Sequence, residues 1–219
     1  MASPEEFSLK CFVPTVAGDQ RKDGSKFCGS ALLLQGESWP CCKKCNLPMQ
    51  LFVQLLTDSL PQEVSVPWQN ATVQLFYCTN DNCTADGGWN PDIDDSKIVR
   101  VISLEKTEWF ARPASDTYPD RYIVDWTVVD DYPELYLEIE EDFDDEIYSP
   151  REGDKLAGWP NWIQGEEYPD CPKCGESMTY FFQIDSEHNV PYMFGDSGCG
   201  HIYFCPAHPD QIKFGWACC

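Results

Sequence analysis

The feature that most constrains this chain is a repeat of thirty residues. Residues 26–55 and 155–184 align without a gap at a spacing of 129, and 12 of the 30 aligned positions are identical. Further along, residues 73–78 align with residues 200–205 at a spacing of 127. A match of this length is typical of a duplicated structural unit. We therefore expect two halves of the same architecture, and we call residues at the same place in the two halves counterparts.

Each half carries a C-x-x-C pair and, about thirty residues later, a second pair of possible metal ligands. The predicted ligands are Cys42, Cys45, Cys78 and Cys83 in the first half and Cys171, Cys174, Cys205 and His208 in the second. Zinc favours four thiolate or imidazole ligands in a tetrahedron. The spacing, with two strands between the ligand pairs, is typical of a zinc ribbon. The sequence therefore predicts two zinc ions.

The repeat also helps to choose among the thirteen cysteines and three histidines. Cys41 aligns with Asp170, so we expect Cys42 to be the ligand. His201 aligns with Gln74 inside a predicted strand and is interpreted as a packing or surface residue. Cys199 stays open as a substitute ligand. The other cysteines have no ligand-like neighbour and are expected to be free thiols: Cys11, Cys28, Cys218 and Cys219.

Both predicted centres are closed. Four protein ligands leave no position for a water molecule, whereas a catalytic zinc usually has three protein ligands. The binding free energy of such an ion becomes folding free energy. We therefore expect a structural role for both ions. The sequence also contains no nucleotide-binding glycine motif and few histidines for general base catalysis.

Alternating apolar residues predict mainly β-strands, and we expect an α+β fold that is predominantly antiparallel β. In the first half strands are predicted over 49–56, 72–77 and 97–104, with equivalents in the second half. Residues 7–13 are predicted to form an edge strand that ends at Pro14. Residues 133–147 fit either a strand or a helix. We predict that Leu51, Val53 and Leu55 share one face of their strand.

The chain divides into three predicted segments. Residues 1–104 form the first half, residues 105–154 an acidic connecting insertion, and residues 155–219 the second half. Residues 103–154 carry 17 acidic side chains against 4 basic ones. The acidic run over residues 138–146 is interpreted either as a solvated face or as a site for a partner.

A formal net charge of −22 disfavours nucleic acid and anionic membranes as partners and suits a basic protein. Solubility alone is an equally good reason for this charge. The N-terminus resembles no export signal, and no apolar run is long enough for a membrane helix. An odd number of cysteines without an export signal indicates a reducing compartment, so we expect a cytoplasmic protein.

The chain resembles the YwqG-like family, also called the DUF1963 family. The motifs that carry this resemblance are Gly36-Glu-x-Trp-Pro40, Lys155-Leu-x-Gly-Trp-Pro160, Cys171-Pro-x-Cys-Gly175, Phe182-Gln-Ile-Asp185, Gly195-Asp-x-Gly-Cys-Gly200 and Phe214-Gly-Trp-Ala-Cys218. A weaker similarity links the C-x-x-C pairs to the zinc domains of programmed-cell-death-2-like proteins, which are ribosome-assembly chaperones. The resemblance implies a duplicated, β-rich fold without an agreed activity. It implies no catalytic residue, and some members lie near bacterial toxin and immunity genes.

Together these observations predict a zinc-stabilised, acidic, non-enzymatic protein that binds a basic protein partner, as an immunity- or chaperone-like factor. The alternative is an enzyme, a hydrolase or transferase, with its site in the cleft between the two halves. A concave pocket with converging titratable groups would favour the enzyme.

Overall fold

The backbone is built almost wholly from β-strands. The structure is a computed structural model, and it describes residues 4–18, 24–85, 88–93, 95–137 and 146–219. In these ranges the strands are β1 Leu9–Gly18, β2 Lys26–Phe27, β3 Ala31–Leu34, β4 Gln50–Leu56, β5 Ala71–Tyr77, β6 Lys97–Ser103, β7 Thr107–Phe110, β8 Arg121–Asp131, β9 Leu135–Leu137, β10 Glu146–Tyr148, β11 Lys155–Ala157, β12 Thr179–Asp185, β13 Cys199–Phe204 and β14 Ile212–Ala217.

The predicted α+β class is wrong, because the fold is all-β. Among the described residues the helical part consists of three short 3₁₀ turns, Pro4–Phe7, Thr57–Ser59 and Leu104–Lys106. The ambiguous segment contributes two short strands, β9 and β10. The acidic run over residues 138–146 falls almost wholly outside the described residues. In the described ranges, no helix has the length and apolar character needed to cross a membrane.

In the main sheet, counterpart strands of the two halves follow one another in the same order from each edge to the centre. Ten strands pair as β14-β13-β12-β11-β1-β8-β2-β4-β5-β6, each antiparallel to its neighbours. Each strand of the first half thus mirrors its counterpart in the second. The two outer edges approach each other, and the backbone N–H of Trp216 donates to the carbonyl of Trp89 at 3.2 Å. The result is a nearly closed antiparallel β-barrel.

The two central strands are exchanged between the halves. β1 precedes the first half in sequence but pairs with β11 of the second, whereas β8 precedes the second half but pairs with β2 of the first. β1 and β8 also pair with each other along their whole lengths. The predicted edge strand over residues 7–13 is therefore wrong. It is a central strand. The strand continues through Pro14 because the pairing with β11 involves only Cys11 and Phe12.

A β-bulge interrupts the same place in both halves. The register shifts at Phe52 in β4 and at its counterpart Phe181 in β12. In a regular strand alternate side chains share a face, and an extra residue reverses that phase. Phe52 and Val53 consequently both pack in the main core, while Leu51 packs beside the first cysteine cluster. The predicted shared face of Leu51, Val53 and Leu55 is wrong for this reason.

Aromatic side chains from the loops cross between the halves. Trp68, in the loop after β4, packs against Phe181 and Phe204 of the second half, with centroid distances of 5.7 and 5.0 Å. Its indole N–H donates to the carbonyl of Pro209 at 2.8 Å. Phe194, in the loop after β12, packs against Phe52 of the first half at 5.9 Å. Each bulge residue is thus covered by an aromatic side chain of the other half.

Candidate metal centres

The first group of possible ligands lies at the end of the β4–β5 hairpin. Its sulfur atoms belong to Cys42 and Cys45, before β4, and to Cys78 and Cys83, after β5, and all lie within 4.8 Å of one another. The Cys42 and Cys83 sulfurs are 3.6 Å apart and the Cys45 and Cys78 sulfurs 3.7 Å. Asn46, with φ +60°, closes the turn by donating its N–H to the carbonyl of Cys42 at 2.9 Å.

The second group repeats this geometry. Cys171 and Cys174 lie before β12, and Cys205 and His208 follow β13, with ligand atoms within 4.8 Å of one another. His208 Nδ1 is 3.7 Å from the sulfurs of both Cys171 and Cys205. Gly175, the counterpart of Asn46, has φ +73° and closes the turn in the same way. The structure therefore brings together both sets of four residues that the spacing singled out.

In each group the pKa of one thiol is lowered and that of another is raised. Burial acts to raise the pKa of the Cys171 thiol, but backbone N–H groups of Lys173 and Cys174 lower it to about 6. Burial likewise acts to raise the pKa of the Cys45 thiol, but hydrogen bonds lower it to about 7. Burial, with the neighbouring thiols, raises the pKa of Cys78. Several thiolates in one cluster repel one another, so a bound cation is needed for all of them to ionise.

The donor set itself indicates what each group can do. Four sulfur atoms, or three sulfur atoms and one imidazole, suit a soft or borderline metal ion in tetrahedral geometry. Each group supplies all four ligands from the protein. A metal held this way joins two segments of chain and leaves no open position for a substrate.

The remaining thiols and His201 lie outside these groups. Cys41 is directed away, with its sulfur 3.4 Å from the carbonyl of Trp39. Cys199 is buried, with its sulfur 3.7 Å from His201 Nε2. His201 is itself buried, and burial lowers its pKa to about 3, so its imidazole is neutral. Burial raises the pKa of Cys11 to about 11 and that of Cys28 to about 12.

Sequence reasoning missed a buried lysine that is paired with an aspartate in each half. Lys155 is fully buried and donates to the buried carboxylate of Asp131 at 2.8 Å. Its counterpart Lys26 is also fully buried and pairs with Asp120. Burial lowers the pKa of both lysines, and the paired carboxylates oppose that shift. Asp120 directly precedes β8 and Asp131 is the last residue of β8, so the two ends of this segment supply a counterion to each half.

The glycine of the repeated Lys-x-x-Gly motif leaves room for this carboxylate. A Cβ at Gly158 would lie 2.3 Å from the carboxylate of Asp131, and one at Gly29 would lie 2.2 Å from that of Asp120. Both glycines have positive φ, +78° and +74°. In the sequence, the identities Lys26/Lys155 and Gly29/Gly158 were the signal that could have indicated these ion pairs. The aspartates gave none, because they lie outside the aligned residues.

A groove of about 550 Å³ lies beside the second half, along residues 159–168. Trp159, Trp162 and Tyr168 line one wall, and the ends of the β9–β10 hairpin form the other. Glu134 and Glu166 supply its charge. The groove thus combines aromatic faces with carboxylates.

These features define a class of protein: an antiparallel β-barrel made of a duplicated half, with a four-donor Cys/His group at the same place in each copy. The family described as a domain of unknown function, DUF1963, matches residues 25–214, and the chain belongs to that family. The resemblance seen in the sequence motifs is confirmed.

One curated relative is the uncharacterized protein YpfL of Salmonella typhimurium. It is 26% identical over an alignment of 171 residues, and the match covers 76% of this chain and 36% of YpfL. The chain therefore spans only 36% of the length of the relative that it matches.

Proposed function

We propose that this chain is a non-enzymatic, cytoplasmic protein in which two structural zinc ions hold the ends of the two hairpins, and in which an acidic surface binds a basic protein partner. The observation that carries the proposal is the pair of closed, four-donor groups at matching positions in the duplicated fold. An immunity- or chaperone-like role is consistent with a rigid binding protein of this kind.

The distances within the two groups support zinc. Zinc–sulfur bonds of about 2.3 Å in a tetrahedron place the sulfur atoms about 3.8 Å apart. The sulfur pairs lie 3.6 and 3.7 Å apart in the first half, and the Cys174 and Cys205 sulfurs lie 3.8 Å apart in the second. The spacing of these three sulfur pairs is compatible with zinc. The many unpaired thiols favour a reducing compartment such as the cytoplasm.

Charge supports a basic partner. The formal net charge of −22 attracts a basic protein from a distance and repels nucleic acid phosphates. When charges on such a surface are altered, the association rate and the salt dependence of binding change most.

Metal analysis of purified protein tests the zinc ions. We expect two zinc equivalents per chain, and one after either Cys42→Ser or Cys171→Ser, because each substitution removes one ligand from a different group. Cys41→Ser is the matched control and should keep both ions, since Cys41 lies beside Cys42 but outside the group. Native protein that contains no zinc would contradict the proposal.

Capture of an immobilised lysine- and arginine-rich protein tests the partner. Binding should fall steeply between low salt and about 0.5 M salt, because exposed charges are screened over about a nanometre or less. Capture that does not change with salt, or no capture at all, would count against a charge-driven interface.

A further inference from the structure

In the first half, the outer face of the hairpin is covered by an extra strand. β3 pairs antiparallel with β7, and Phe110 of β7 packs against the hydrophobic cluster that includes Ala31 and Leu33. The N–H of Leu32 donates to Gln54 Oε1 at 2.8 Å, and its carbonyl accepts from Gln74 Nε2 at 2.6 Å. Because backbone groups alternate in direction along a strand, those of Leu33 are directed at β7.

In the second half, the counterpart of β3 has no such strand among the described residues. Residues 160–163 occupy its place, and the N–H of Asn161 donates to Gln183 Oε1 at 2.9 Å, as Leu32 does to Gln54. Trp162 lines the groove, and if residues 160–163 follow the alternation of β3, the N–H and C=O of Trp162 are directed at the groove. In the part of the chain that the structure describes, these two groups have no hydrogen-bond partner. The groove thus lies where β7 lies in the first half.

A second difference between the halves concerns charge. In the first half the guanidinium of Arg100 donates two hydrogen bonds to the Glu37 carboxylate and lies 5.4 Å from the centre of the Phe76 ring. Arg100 pairs with Gln74 across the sheet, and Gly215 pairs with His201, the counterpart of Gln74. Glycine therefore stands where the first half has this arginine.

The consequence is a carboxylate without its arginine. Glu166 is the counterpart of Glu37, is exposed, and forms no ion pair with any described residue. It lines the groove together with Glu134, and none of the described residues along the groove is basic. Arginine is suited to such a place because its planar group binds a carboxylate with two hydrogen bonds and stacks on aromatic rings.

We propose that the groove along residues 160–163 binds an extended, arginine-containing segment of the partner as an added antiparallel strand. The backbone groups of Trp162 hydrogen-bond the segment, while Pro160 offers only its carbonyl. Arginine side chains of the segment pair with Glu166 and stack on the indoles of Trp159 or Trp162. In strand addition, main-chain hydrogen bonds give affinity and the side-chain contacts give specificity. This inference rests on the proposed binding of a basic protein and assigns the surface that does it.

A short peptide based on the sequence of β7 tests the site. The probe is an acetylated, amidated hexapeptide that copies residues 106–111 with Glu108→Arg and Ala111→Arg, labelled with a fluorophore. We expect saturable binding to the whole, metal-loaded protein. Hydrogen exchange should slow at the amide of Trp162 and its neighbours when the peptide is added. Binding with protection confined to another surface would overturn the assignment.

Three controls separate strand addition from simple charge attraction. The same peptide with N-methyl groups on alternate backbone amides keeps its charge but loses the donors, and should bind about tenfold or more weakly. Glu166→Gln should weaken binding about threefold, whereas Glu176→Gln, an exposed carboxylate outside the groove, should not. Equal binding of the methylated peptide, or equal effects of the two glutamine variants, would refute the proposal.

Failure of the groove proposal can be distinguished from failure of the proposed function. A protein that captures the immobilised basic protein but does not bind the peptide would refute the groove alone. A protein that lacks zinc and captures no basic protein would refute the proposed function.

Discussion

The carboxylate of Asp131 joins three separate parts of the chain. It accepts hydrogen bonds from the backbone N–H of Arg151 at 2.7 Å, the ammonium of Lys155 at 2.8 Å and the backbone N–H of Trp159 at 2.8 Å. Neither member of the ion pair is exposed to solvent. A buried charge is tolerated only when its partner and remaining hydrogen bonds are in place.

Removing this carboxylate should therefore destabilise the protein strongly. We expect Asp131→Ala to lower the free energy of unfolding by about 3–5 kcal/mol, because it leaves the ammonium of Lys155 buried without a counterion. Asp130→Ala is the matched control. Its partner Lys10 is exposed, so the loss should be at most about 1 kcal/mol. Denaturant unfolding of both variants measures the difference, and equal losses would contradict this account.

At the scale of elements, the two halves are held together by loops as well as by strands. Trp68 of the first half lies between Phe181 of β12 and Phe204 of β13, and Phe194 of the second half lies against Phe52 of β4. Trp68 is 9% exposed. Burial of an aromatic ring contributes a large apolar area and an oriented ring contact. Each hairpin therefore depends on a loop that belongs to the other half.

Truncating the indole of Trp68 should consequently affect the second half. We expect Trp68→Ala to lower the free energy of unfolding by about 3–5 kcal/mol. Hydrogen exchange should become faster in β12 and β13 than in β4 and β5, although the substitution lies in the first half. Trp89→Ala serves as the control, since Trp89 is 53% exposed and its loss should cost about 0.5 kcal/mol or less. Faster exchange confined to the first half would show that this contact does not join the halves.

At the scale of the whole molecule, exchange of β1 and β8 makes each half incomplete without the other. A fragment of residues 1–104 lacks β8, which pairs with β2, and a fragment of residues 105–219 lacks β1, which pairs with β11. The predicted boundaries at residues 104 and 154 were drawn from the limits of sequence similarity. That criterion does not reveal which strands pair.

Fragments that divide the chain at different places test this dependence. We expect residues 1–104 and residues 105–219 to lack cooperative unfolding when separate and to recover it when mixed, because mixing restores both exchanged pairings. The control fragment, residues 1–132, retains β8 and should keep far more strand structure by circular dichroism than residues 1–104 does. A cooperatively folded fragment 1–104 would show that the exchange is not needed.

The repeat allowed much of the fold to be predicted, and the failures have identifiable physical causes. Strands β4, β5 and β6 were predicted within two residues at each end, because their apolar residues are dense and bounded by turn residues. The helical component was wrong, since the ambiguous segment forms short strands in its described part. The position of β1 could not be predicted, because strand neighbours depend on pairings between residues more than 100 positions apart.

The candidate site, like the fold, could be predicted only in part. The spacing of the cysteines was enough to select all eight clustered residues, because a C-x-x-C turn is local and the repeat supplied its partners. The counterion of Lys155 lies 24 positions away, and that of Lys26 lies 94 positions away. The groove could not be predicted, because it depends on how residues 159–168 lie in space relative to the ends of the β9–β10 hairpin.

Because the two central strands are exchanged, some strand edges lack their neighbours while the chain is being synthesised. The hairpins of the first half leave the exit tunnel early, yet β2 has no neighbour on one side until Arg121 and Tyr122 have been made. β1 must then wait for β11 before its second edge is covered. Synthesis proceeds at about 5–20 residues per second. Newly made chains thus expose open strand edges for several seconds, and nascent copies on one messenger are at risk of pairing with each other.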